Sequence, residues 1–448
     1  MKTYSHGQLA TLAADRGMSE DYLRELRVVA SVLPFKVNEY VADELIDWSA
    51  APDDPIFRLT FPHRDMLPVA TFDRIATLLD SQASRDVLRK AATDARAELN
   101  PHPGDQLQFN VPSLNGRRVD GLQHKYDETV LLFPSQGQTC HSYCGYCFRW
   151  AQFVGDKELR QAAHDSVGTT AYLRAHPEVT DVLFTGGDPM IMRTELLRRW
   201  SEPLLEPGLE HVRTLRFGTK ALSYWPYRFT TDPGADDLLR LFERCVAAGK
   251  HVAVMAHFSH PQELRTPAVR RAMARIQATG AVIRAQAPLV GHVNDDADAW
   301  SRMWQTLVEL GAVPYYMFVE RDTGARSYFG VPLARALDIY TTAIRGVSGL
   351  ARTARGPVMS ASPGKVLVDG VTSVGGQRVF VLRMLQARRP ELVGKPFFAA
   401  YDPHAEWFDE LRPALGSWFP ATTQGAPRGT RDLLDISAVR VPEGASCG

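Results

Sequence analysis

The sequence has no excess of charge of either sign, because 51 lysines and arginines balance 51 aspartates and glutamates over 448 residues. A chain without a net field has no long-range attraction for nucleic acid or for an acidic membrane surface. It also lacks any apolar run near the ~18–20 residues that span a bilayer. Residues 1–35 are studded with charge, unlike a secretory signal. These absences predict a cytoplasmic protein that binds neither nucleic acid nor membranes.

Cysteine is scarce as well, with five in the whole chain. So few cysteines do not provide a disulfide framework. Three of them are clustered, which leaves Cys245 and Cys447. Cys245 falls on the apolar face of a predicted helix and is expected in the core, whereas Cys447 lies in the tail and is expected to be free.

The clustered cysteines, Cys140, Cys144 and Cys147, have the spacing C-x3-C-x2-C. An iron–sulfur cluster ordinarily takes four thiolates, so three would leave one iron open, as catalytic metal sites keep one position open. The alternative is a zinc loop, but zinc requires a fourth Cys or His ligand. His141 directly follows Cys140 and is too close to ligate beside it. The motif therefore predicts a [4Fe–4S] cluster on three cysteines.

From Thr129 onward, short apolar runs alternate with helical stretches. Runs that are nearly continuously apolar and too short for a helix are typical of parallel strands buried on both faces. Six consecutive strand–helix units predict an α/β fold, namely a partial parallel (β/α)6 barrel. The predicted strands are Thr129–Pro134, Asp181–Thr185, Arg213–Gly218, His251–Ala256, Val282–Ala287 and Pro314–Val319.

The same pattern divides the chain into three segments. Residues 1–128 are predicted to form a mainly helical extension, residues 129–335 the barrel, and residues 336–448 a C-terminal extension with an irregular tail. In the last segment, the runs Lys365–Val371 and Arg378–Leu382 flank Gly375-Gly376 and predict a hairpin. Sites in barrels of this kind form at the C-terminal strand ends, and the cysteine loop directly follows the first strand.

Capping residues mark the helices between the strands. Thr266 followed by Pro267 is an N-cap with a proline at the first helical position, and Gly280 closes that helix. Asp232-Pro233 is predicted to open the preceding helix, which Gly249 ends.

The cysteine spacing resembles that of the radical S-adenosylmethionine (SAM) superfamily. In that superfamily the open iron binds SAM, and an electron passed into the sulfonium releases methionine and a 5′-deoxyadenosyl radical. Other segments resemble the lysine 2,3-aminomutase family over residues 40–370. These segments are Ile46-Asp47-Trp48, Asp53-Asp54-Pro55-Ile56, Gln123–Tyr126, Cys140–Arg149, Thr185–Asp188, Arg216–Thr230, His257–Pro261, Val293-Asn294-Asp295 and Pro314-Tyr315-Tyr316.

The resemblance implies roles for several residues at the strand ends. SAM contacts are implied for Gly186, Gly187, Asp188, Thr219, Lys220 and Gln286. Glycines let the main chain approach a ligand closely, although Asp188 alternatively caps the following helix. Arg149 matches the arginine that holds the substrate carboxylate, and its guanidinium suits bidentate binding; the alternative is a surface cation.

Departures from the family concern its second cofactor, pyridoxal phosphate (PLP). The lysine that would form the Schiff base is kept as Lys365, but the glycine-rich loop before it is reduced to Ser362-Pro363-Gly364. The family's phosphate-binding arginine matches Glu128 or Thr129, and the tyrosine facing the pyridine ring matches Phe318. A phosphate without its arginine loses its main charge partner. The pattern favours a reaction without PLP.

The substrate also differs from lysine. The two aspartates that bind the lysine ammonium in the family match Arg321 and Ser360, and Asp322 substitutes for one of them only after a register slip. An ammonium group without its acids loses its partners. Within the family, the pattern resembles PLP-independent enzymes of antibiotic sugars, in particular the apramycin-pathway diol dehydratase that acts on paromamine.

This resemblance implies a radical SAM dehydratase of an aminosugar in antibiotic biosynthesis. Residues predicted to perform the acid–base chemistry are Glu320, Asp322, His257, His260 and Tyr224; those predicted to bind substrate are Arg149, Tyr316 and Arg321. A tyrosine or histidine near a strand end is alternatively a core residue. Predicted partners are a flavodoxin- or ferredoxin-type electron donor and an NAD(P)H-dependent reductase. The alternatives are a PLP-dependent 2,3-aminomutase of another amino acid, and a silent family member with only a structural cluster.

Overall fold

A computed structural model describes residues 1–100, 110–154, 161–416 and 418–420 of the chain. Cys447 and the predicted irregular tail beyond residue 420 lie outside the described residues. In the described part of the chain, no helix combines the length and the apolar character that crossing a bilayer requires.

The fold is built around one large sheet of 11 strands. Its strands are β5 (Leu122–Tyr126), β6 (Thr129–Leu132), β7 (Asp181–Phe184), β8 (Thr214–Thr219), β9 (His251–His257), β10 (Val282–Leu289), β11 (Val313–Val319), β12 (Arg355–Ser360), β13 (Gly364–Val374), β14 (Gln377–Ala387) and β15 (Pro396–Ala400). They lie side by side in chain order. Strands β6 to β12 are parallel, whereas β5 at one edge and β13 to β15 at the other are antiparallel.

The six predicted strands are all present, as β6 to β11. The sheet does not end there, because β12 adds a seventh parallel strand that pairs with β11. Its first residues, Arg355-Gly356-Pro357, have the charge, glycine and proline that lower strand propensity, which hid it from the sequence pattern. The structure thus confirms an α/β fold with a large, mainly parallel sheet, and this sheet is wider than a six-stranded barrel predicts.

The C-terminal hairpin is also confirmed, as β13 paired with β14. Its turn consists of Gly375 and Gly376, whose φ angles of 55° and 81° are those that glycine adopts without strain. Both strands are longer than predicted and β15 extends the hairpin to three strands. The predicted segment boundaries at residues 128 and 335 both lie between strands of this one sheet.

Helices cover the sheet and form most of the N-terminal segment. They are His6–Ala14, Glu20–Ala30, Pro55–Thr60, Val69–Asp80, Arg85–Leu99, Trp150–Phe153, Val167–Arg174, Thr194–Ser201, Ala221–Tyr224, Ala235–Ala247, Pro267–Ala278, Ala297–Glu309, Arg326–Phe329 and Leu333–Arg345. The Thr266 cap is confirmed, since its side chain accepts a hydrogen bond from the Val269 amide. The cap predicted at Asp232 is wrong, because this carboxylate accepts from the Trp225 indole instead and the helix begins at Ala235 after Gly234.

The N-terminal segment shares its core with the sheet. Apolar side chains of its helices, among them the stacked rings of Phe57 and Phe61, belong to the same buried cluster as the strands. Two short antiparallel strands, β1 (Thr3–Ser5) and β2 (Lys36–Asn38), hold the start of the chain against the residues that reach the cysteine loop. A further pair, β3 (Ser113–Leu114) and β4 (Arg117–Arg118), forms a separate ribbon.

Candidate functional site

The cysteine loop lies between the end of β6 and the short helix Trp150–Phe153, and the N-terminal segment holds it in place. The Tyr143 amide donates to the Lys36 carbonyl at 2.8 Å, and the Gly145 amide donates to the Leu59 carbonyl at 2.8 Å. The Lys36 ammonium in turn donates to the Cys140 carbonyl at 2.7 Å. The loop therefore gains its shape from residues far away in the sequence.

The three thiols of this loop lie close enough to repel one another as thiolates. Burial and neighbouring charges, including the other two thiols, raise the pKa of Cys140 well above its ordinary value. Burial and the Cys144 thiol raise the pKa of Cys147 to about 12. Bound irons would offset this cost because a metal-ligating thiol is deprotonated outright.

The donor set fits a cluster rather than a single ion. Within the described residues, no three His, Cys, Asp or Glu side chains converge on one metal ion. A cubane instead needs its thiolates spread over separate irons, and all donors here are sulfur, the ligand that iron–sulfur clusters use. Cys140, Cys144 and Cys147 are thus the residues that would hold it. None of the three, nor Cys245, is in a disulfide.

The glycines after β7 let two loops approach each other. A Cβ atom on Gly187 would collide with the backbone of Thr139, directly before the first cysteine. Gly186 has a φ of 148°, and a Cβ atom added at this position would lie 2.7 Å from the Gln138 side-chain nitrogen. Glycine is required at both positions for packing, and SAM contacts at these positions stay predictions.

Asp188 joins the ends of two neighbouring strands. Its carboxylate accepts hydrogen bonds from the Thr219 hydroxyl at 2.7 Å, the Lys220 amide at 2.8 Å and the Met190 amide at 2.9 Å. Burial raises the pKa of Asp188 to about 6 against these bonds. The carboxylate and the Thr219 hydroxyl are bonded to each other at the ends of β7 and β8, and SAM contacts at both residues stay predictions.

Lys220 is buried in an ion pair. Its ammonium lies 2.7 Å from Glu263, whose side chain is fully buried, and 3.2 Å from the Ser259 hydroxyl. The second oxygen of Glu263 accepts from the Ser259 amide at 2.6 Å. No sequence signal pointed to Glu263, because this contact joins loops after β8 and β9.

The predicted histidines after β9 have different surroundings. His257 lies 3.0 Å from the Gln286 side-chain nitrogen, and burial lowers the pKa of His257 to about 3. A neutral imidazole accepts this hydrogen bond, so His257 orients Gln286. His260 instead accepts from the Gln262 amide and caps the turn Pro261–Leu264. Its charged neighbours are Arg265, Arg302 and Asp296.

Similar proteins were found by sequence. A predicted L-lysine 2,3-aminomutase of Aquifex aeolicus is 33% identical over 392 residues, which cover 87% of this chain and 91% of that protein. The chain belongs to the lysine 2,3-aminomutase family. This family consists of radical SAM enzymes, and membership implies a [4Fe–4S] cluster and SAM as cofactors.

Other family members match over a shorter stretch. The L-lysine 2,3-aminomutase of Acetoanaerobium sticklandii is 27% identical over 285 residues, 64% of each chain. Among solved structures, a radical SAM methyltransferase from Sphaerobacter thermophilus matches with a TM-score of 0.38 and 13% identity, covering 79% of this chain and 93% of that one. A TM-score at this level does not establish a common fold, and no family model matches the chain.

Arg149, the family's carboxylate-binding position, lies next to the cysteine loop. One terminal nitrogen of its guanidinium donates to the Gln138 side chain at 3.1 Å and to the Gln152 side chain at 2.9 Å. The guanidinium also stands 4.6 Å from the centre of the Phe133 ring. Two amides therefore orient a half-buried cation beside the cluster position.

Lys365, the family's Schiff-base position, is half-buried between aromatic rings. Its nitrogen lies 4.9 Å from the centre of the Tyr316 ring and 5.9 Å from that of Tyr126. Burial and the Arg216 charge lower the pKa of Lys365 to about 8, with Asp181 opposing. Tyr316, a predicted substrate contact, is buried and stacked on Phe318. A lowered pKa increases the neutral fraction of the amine, and the neutral amine is the nucleophilic form.

The loop before Lys365 directs carbonyl groups, not backbone N–H groups, towards its charged neighbours. Phosphate-binding loops present backbone N–H groups to the anion. Here three consecutive carbonyls accept hydrogen bonds from cations. These are Ser360 from Arg321 at 3.4 Å, Ala361 from Lys125 at 2.5 Å and Ser362 from Arg388 at 3.0 Å. Each of the three cations therefore has a carbonyl of this loop as a partner, and sequence reasoning missed Lys125 and Arg388 in this role.

The three polar residues after β11 diverge. Arg321 stands over the ring of Phe148, beside the last cysteine, at 5.7 Å, and 3.9 Å from Asp322. The charged groups that act on the Glu320 carboxyl are instead Glu406 and Arg326. Neither carboxyl oxygen of Glu320 has a hydrogen-bond partner in the described chain, and burial raises its pKa well above the ordinary 4.5. The structure therefore brings Arg321 to the cysteine loop, with Asp322 next to Arg321, whereas Glu320 lies near Glu406 and Arg326.

Proposed function

We propose that this protein is a PLP-independent radical SAM lyase that dehydrates a vicinal diol or amino alcohol. The proposed substrate is an aminosugar of the paromamine type, which places the enzyme in the cytoplasmic biosynthesis of an aminoglycoside antibiotic. The observation that carries the proposal is the loop Ser360–Ser362, which directs three carbonyls towards cations instead of backbone N–H groups towards an anion. Without PLP, amino-group migration loses its carrier, whereas elimination from a substrate radical does not require one.

The bound cluster and SAM would supply a 5′-deoxyadenosyl radical, which takes a hydrogen atom from the carbon beside a substrate hydroxyl. Arg149 and its two glutamines would orient the substrate oxygens next to the cysteine loop. Asp322 would accept the hydroxyl proton, because it lies beside Arg321 near that loop. Glu320 suits this role less well because its burial favours the protonated carboxyl, which has no capacity to accept a proton.

The reaction balances with one further electron. Loss of the hydroxyl proton, with departure of the neighbouring hydroxyl as water, leaves a radical next to a new carbonyl group. One electron from a flavodoxin- or ferredoxin-type donor and one proton convert that radical to a deoxy ketone. An NAD(P)H-dependent reductase would then reduce the ketone. Water must stay out of the site during these steps.

A second candidate, a PLP-dependent 2,3-aminomutase, is favoured by Lys365. Its half-buried amine has a pKa lowered to about 8, as a Schiff-base lysine needs, and the relatives are named as lysine 2,3-aminomutases. In this candidate the product is an isomer of the amino acid substrate.

Mass analysis of the products separates the two candidates. Anaerobic protein with dithionite, SAM and a panel of aminosugars and amino acids is expected to give 5′-deoxyadenosine, methionine and a sugar product lighter by one water. An amino acid isomer of unchanged mass, without a dehydrated sugar, would establish the aminomutase. Absence of 5′-deoxyadenosine with every compound and reductant would instead indicate a silent family member.

Lys365→Ala provides an independent test. The dehydratase is expected to keep substantial turnover in this variant, because no step uses the amine. Complete loss of turnover, with normal folding and iron content, would support the aminomutase. Absorbance at about 420 nm that borohydride removes from the wild-type protein would support it as well.

A further inference from the structure

Cys144 differs from the other two cysteines in its surroundings. The Tyr224 hydroxyl lies 3.4 Å from the Cys144 sulfur, within hydrogen-bond distance for sulfur. Among the described residues, neither Cys140 nor Cys147 has a side-chain donor on its sulfur. The surroundings of the three cluster positions are therefore not equivalent.

The direction of the hydrogen bond between Tyr224 and Cys144 follows from the role of Cys144 as an iron ligand. A cysteine that binds iron is a thiolate, which has no proton to donate. The phenol must then donate and the sulfur accept. This direction rests on Cys144 being a cluster ligand, as radical SAM function requires.

Several contacts fix Tyr224 in this position. Its side chain is almost completely buried, at 1% exposure. Its carbonyl accepts from the Asn38 side chain at 2.8 Å, which ties it to the N-terminal segment. The Lys220 ammonium lies 4.5 Å from the centre of its ring and is itself paired with Glu263. Because these contacts already restrict the Tyr224 side chain, its hydroxyl loses little further conformational entropy when it bonds to the sulfur.

We propose that Tyr224 raises the reduction potential of the cluster through a hydrogen bond to the Cys144 sulfur. Reduction places additional negative charge on the iron and its thiolates, and a donor aimed at one thiolate stabilises that charge. Hydrogen bonds to the sulfurs are among the factors that set cluster potentials. Tyr224 is thus a positioning residue that makes the electron needed for SAM cleavage easier to accept, rather than an acid or base for the substrate.

A redox titration of the reconstituted cluster, followed by electron paramagnetic resonance, tests this proposal. Tyr224→Phe removes one oxygen and keeps the ring. At a fixed potential, the ratio of reduced to oxidised cluster is expected to fall about fivefold, the equivalent of one net hydrogen bond. Tyr146→Phe removes a hydroxyl that lies 3.3 Å from the Ser259 hydroxyl, and it is expected to leave this ratio close to that of the wild type.

Tyr40→Phe is the matched control, since it removes a buried tyrosine hydroxyl that contacts Thr266 rather than a cysteine. Its titration should coincide with that of the wild type. An unchanged potential in Tyr224→Phe, at normal iron content, would overturn the proposal. If Tyr224→Phe does not fold, electron–nuclear double resonance of the reduced wild-type cluster should detect an exchangeable hydroxyl proton coupled to it, and absence of any such proton would overturn the proposal. Failure of the underlying cluster assignment has a different signature, namely full iron content in Cys144→Ala.

Discussion

At the scale of single residues, the three clustered cysteines determine the cofactor. Cys140→Ala, Cys144→Ala and Cys147→Ala are each expected to abolish cluster assembly and SAM cleavage, because no spare thiol lies in the loop. Iron and sulfide analysis after anaerobic reconstitution measures this outcome. Cys245→Ala is the control, since that thiol is buried in the helix Ala235–Ala247, and it should retain full iron content. Normal iron content in any of the three loop variants would contradict the assignment.

Glu320 makes a separate residue-scale prediction about pH. Burial raises its pKa well above 4.5 in the folded state, so the folded protein binds a proton that the unfolded chain releases above that pH. The stability it contributes is present below pH 4.5 and is lost as pH rises through the folded pKa. Glutamine cannot ionise, so Glu320→Gln removes the destabilisation that ionisation of the buried carboxyl causes. This variant is expected to stabilise the protein at pH 8 by about 1–3 kcal/mol.

Thermal unfolding at pH 5 and pH 8 checks the Glu320 prediction. The stabilisation should be smaller at pH 5. Glu309→Gln, at an exposed helix end, is the control and should leave both midpoints unchanged. A Glu320→Gln protein that is less stable than the wild type at pH 8 would show that the carboxylate has a charge partner in solution.

At the scale of elements, Asp54 has a structural role within the segment Asp53-Asp54-Pro55-Ile56, one of the segments that resemble the family. Its buried carboxylate caps the helix Pro55–Thr60 by accepting from the Ile56 and Phe57 amides at 2.9 and 2.8 Å. It also accepts from the Gln262 side chain at 3.0 Å, which connects this helix to the loop after β9. One residue therefore fixes both the helix start and its place against the sheet.

Asp54→Ala is expected to destabilise the protein by about 2 kcal/mol, because it removes a helix cap and leaves buried donors unpaired. Denaturant unfolding measures this change. The neighbouring Asp53→Ala is a matched control, since that carboxylate is 77% exposed. Among the described residues its ion-pair partner is Arg58, so its effect should stay within about 0.5 kcal/mol. Equal effects of the two substitutions would refute the role of Asp54.

At the scale of the whole molecule, the N-terminal segment is part of the cluster site. Lys36→Met keeps an apolar stem but removes the donor to the Cys140 carbonyl. The loop should then open more often, and release of iron to a chelator should be about fivefold faster. Lys2→Met, in an exposed residue of the same segment, serves as the control and should release iron at the wild-type rate. Equal release rates in both variants would mean that the loop keeps its shape without Lys36.

Short-range patterns in the sequence were sufficient for the elements of the sheet. Apolar runs gave the strands β6 to β11, and the Gly375-Gly376 pair gave the hairpin. Strand β12 was missed because Gly356 and Pro357 break the apolar pattern, and only pairing with β11 and β13 makes it a strand. The cap at Asp232 was misplaced because a local motif cannot show that the Trp225 indole competes for the carboxylate.

The sequence by itself determined the cofactor chemistry, because the spacing of three cysteines within one loop is a local property of the chain. The tertiary structure decided how the surrounding residues are used. Lys36 and Cys140 meet across 104 positions, Asp188 is engaged by Thr219, and Lys125 binds the Ala361 carbonyl from 236 positions away. Contacts of this range arise when strands align side by side in one sheet and bring their loops together, and no periodicity along the chain encodes them.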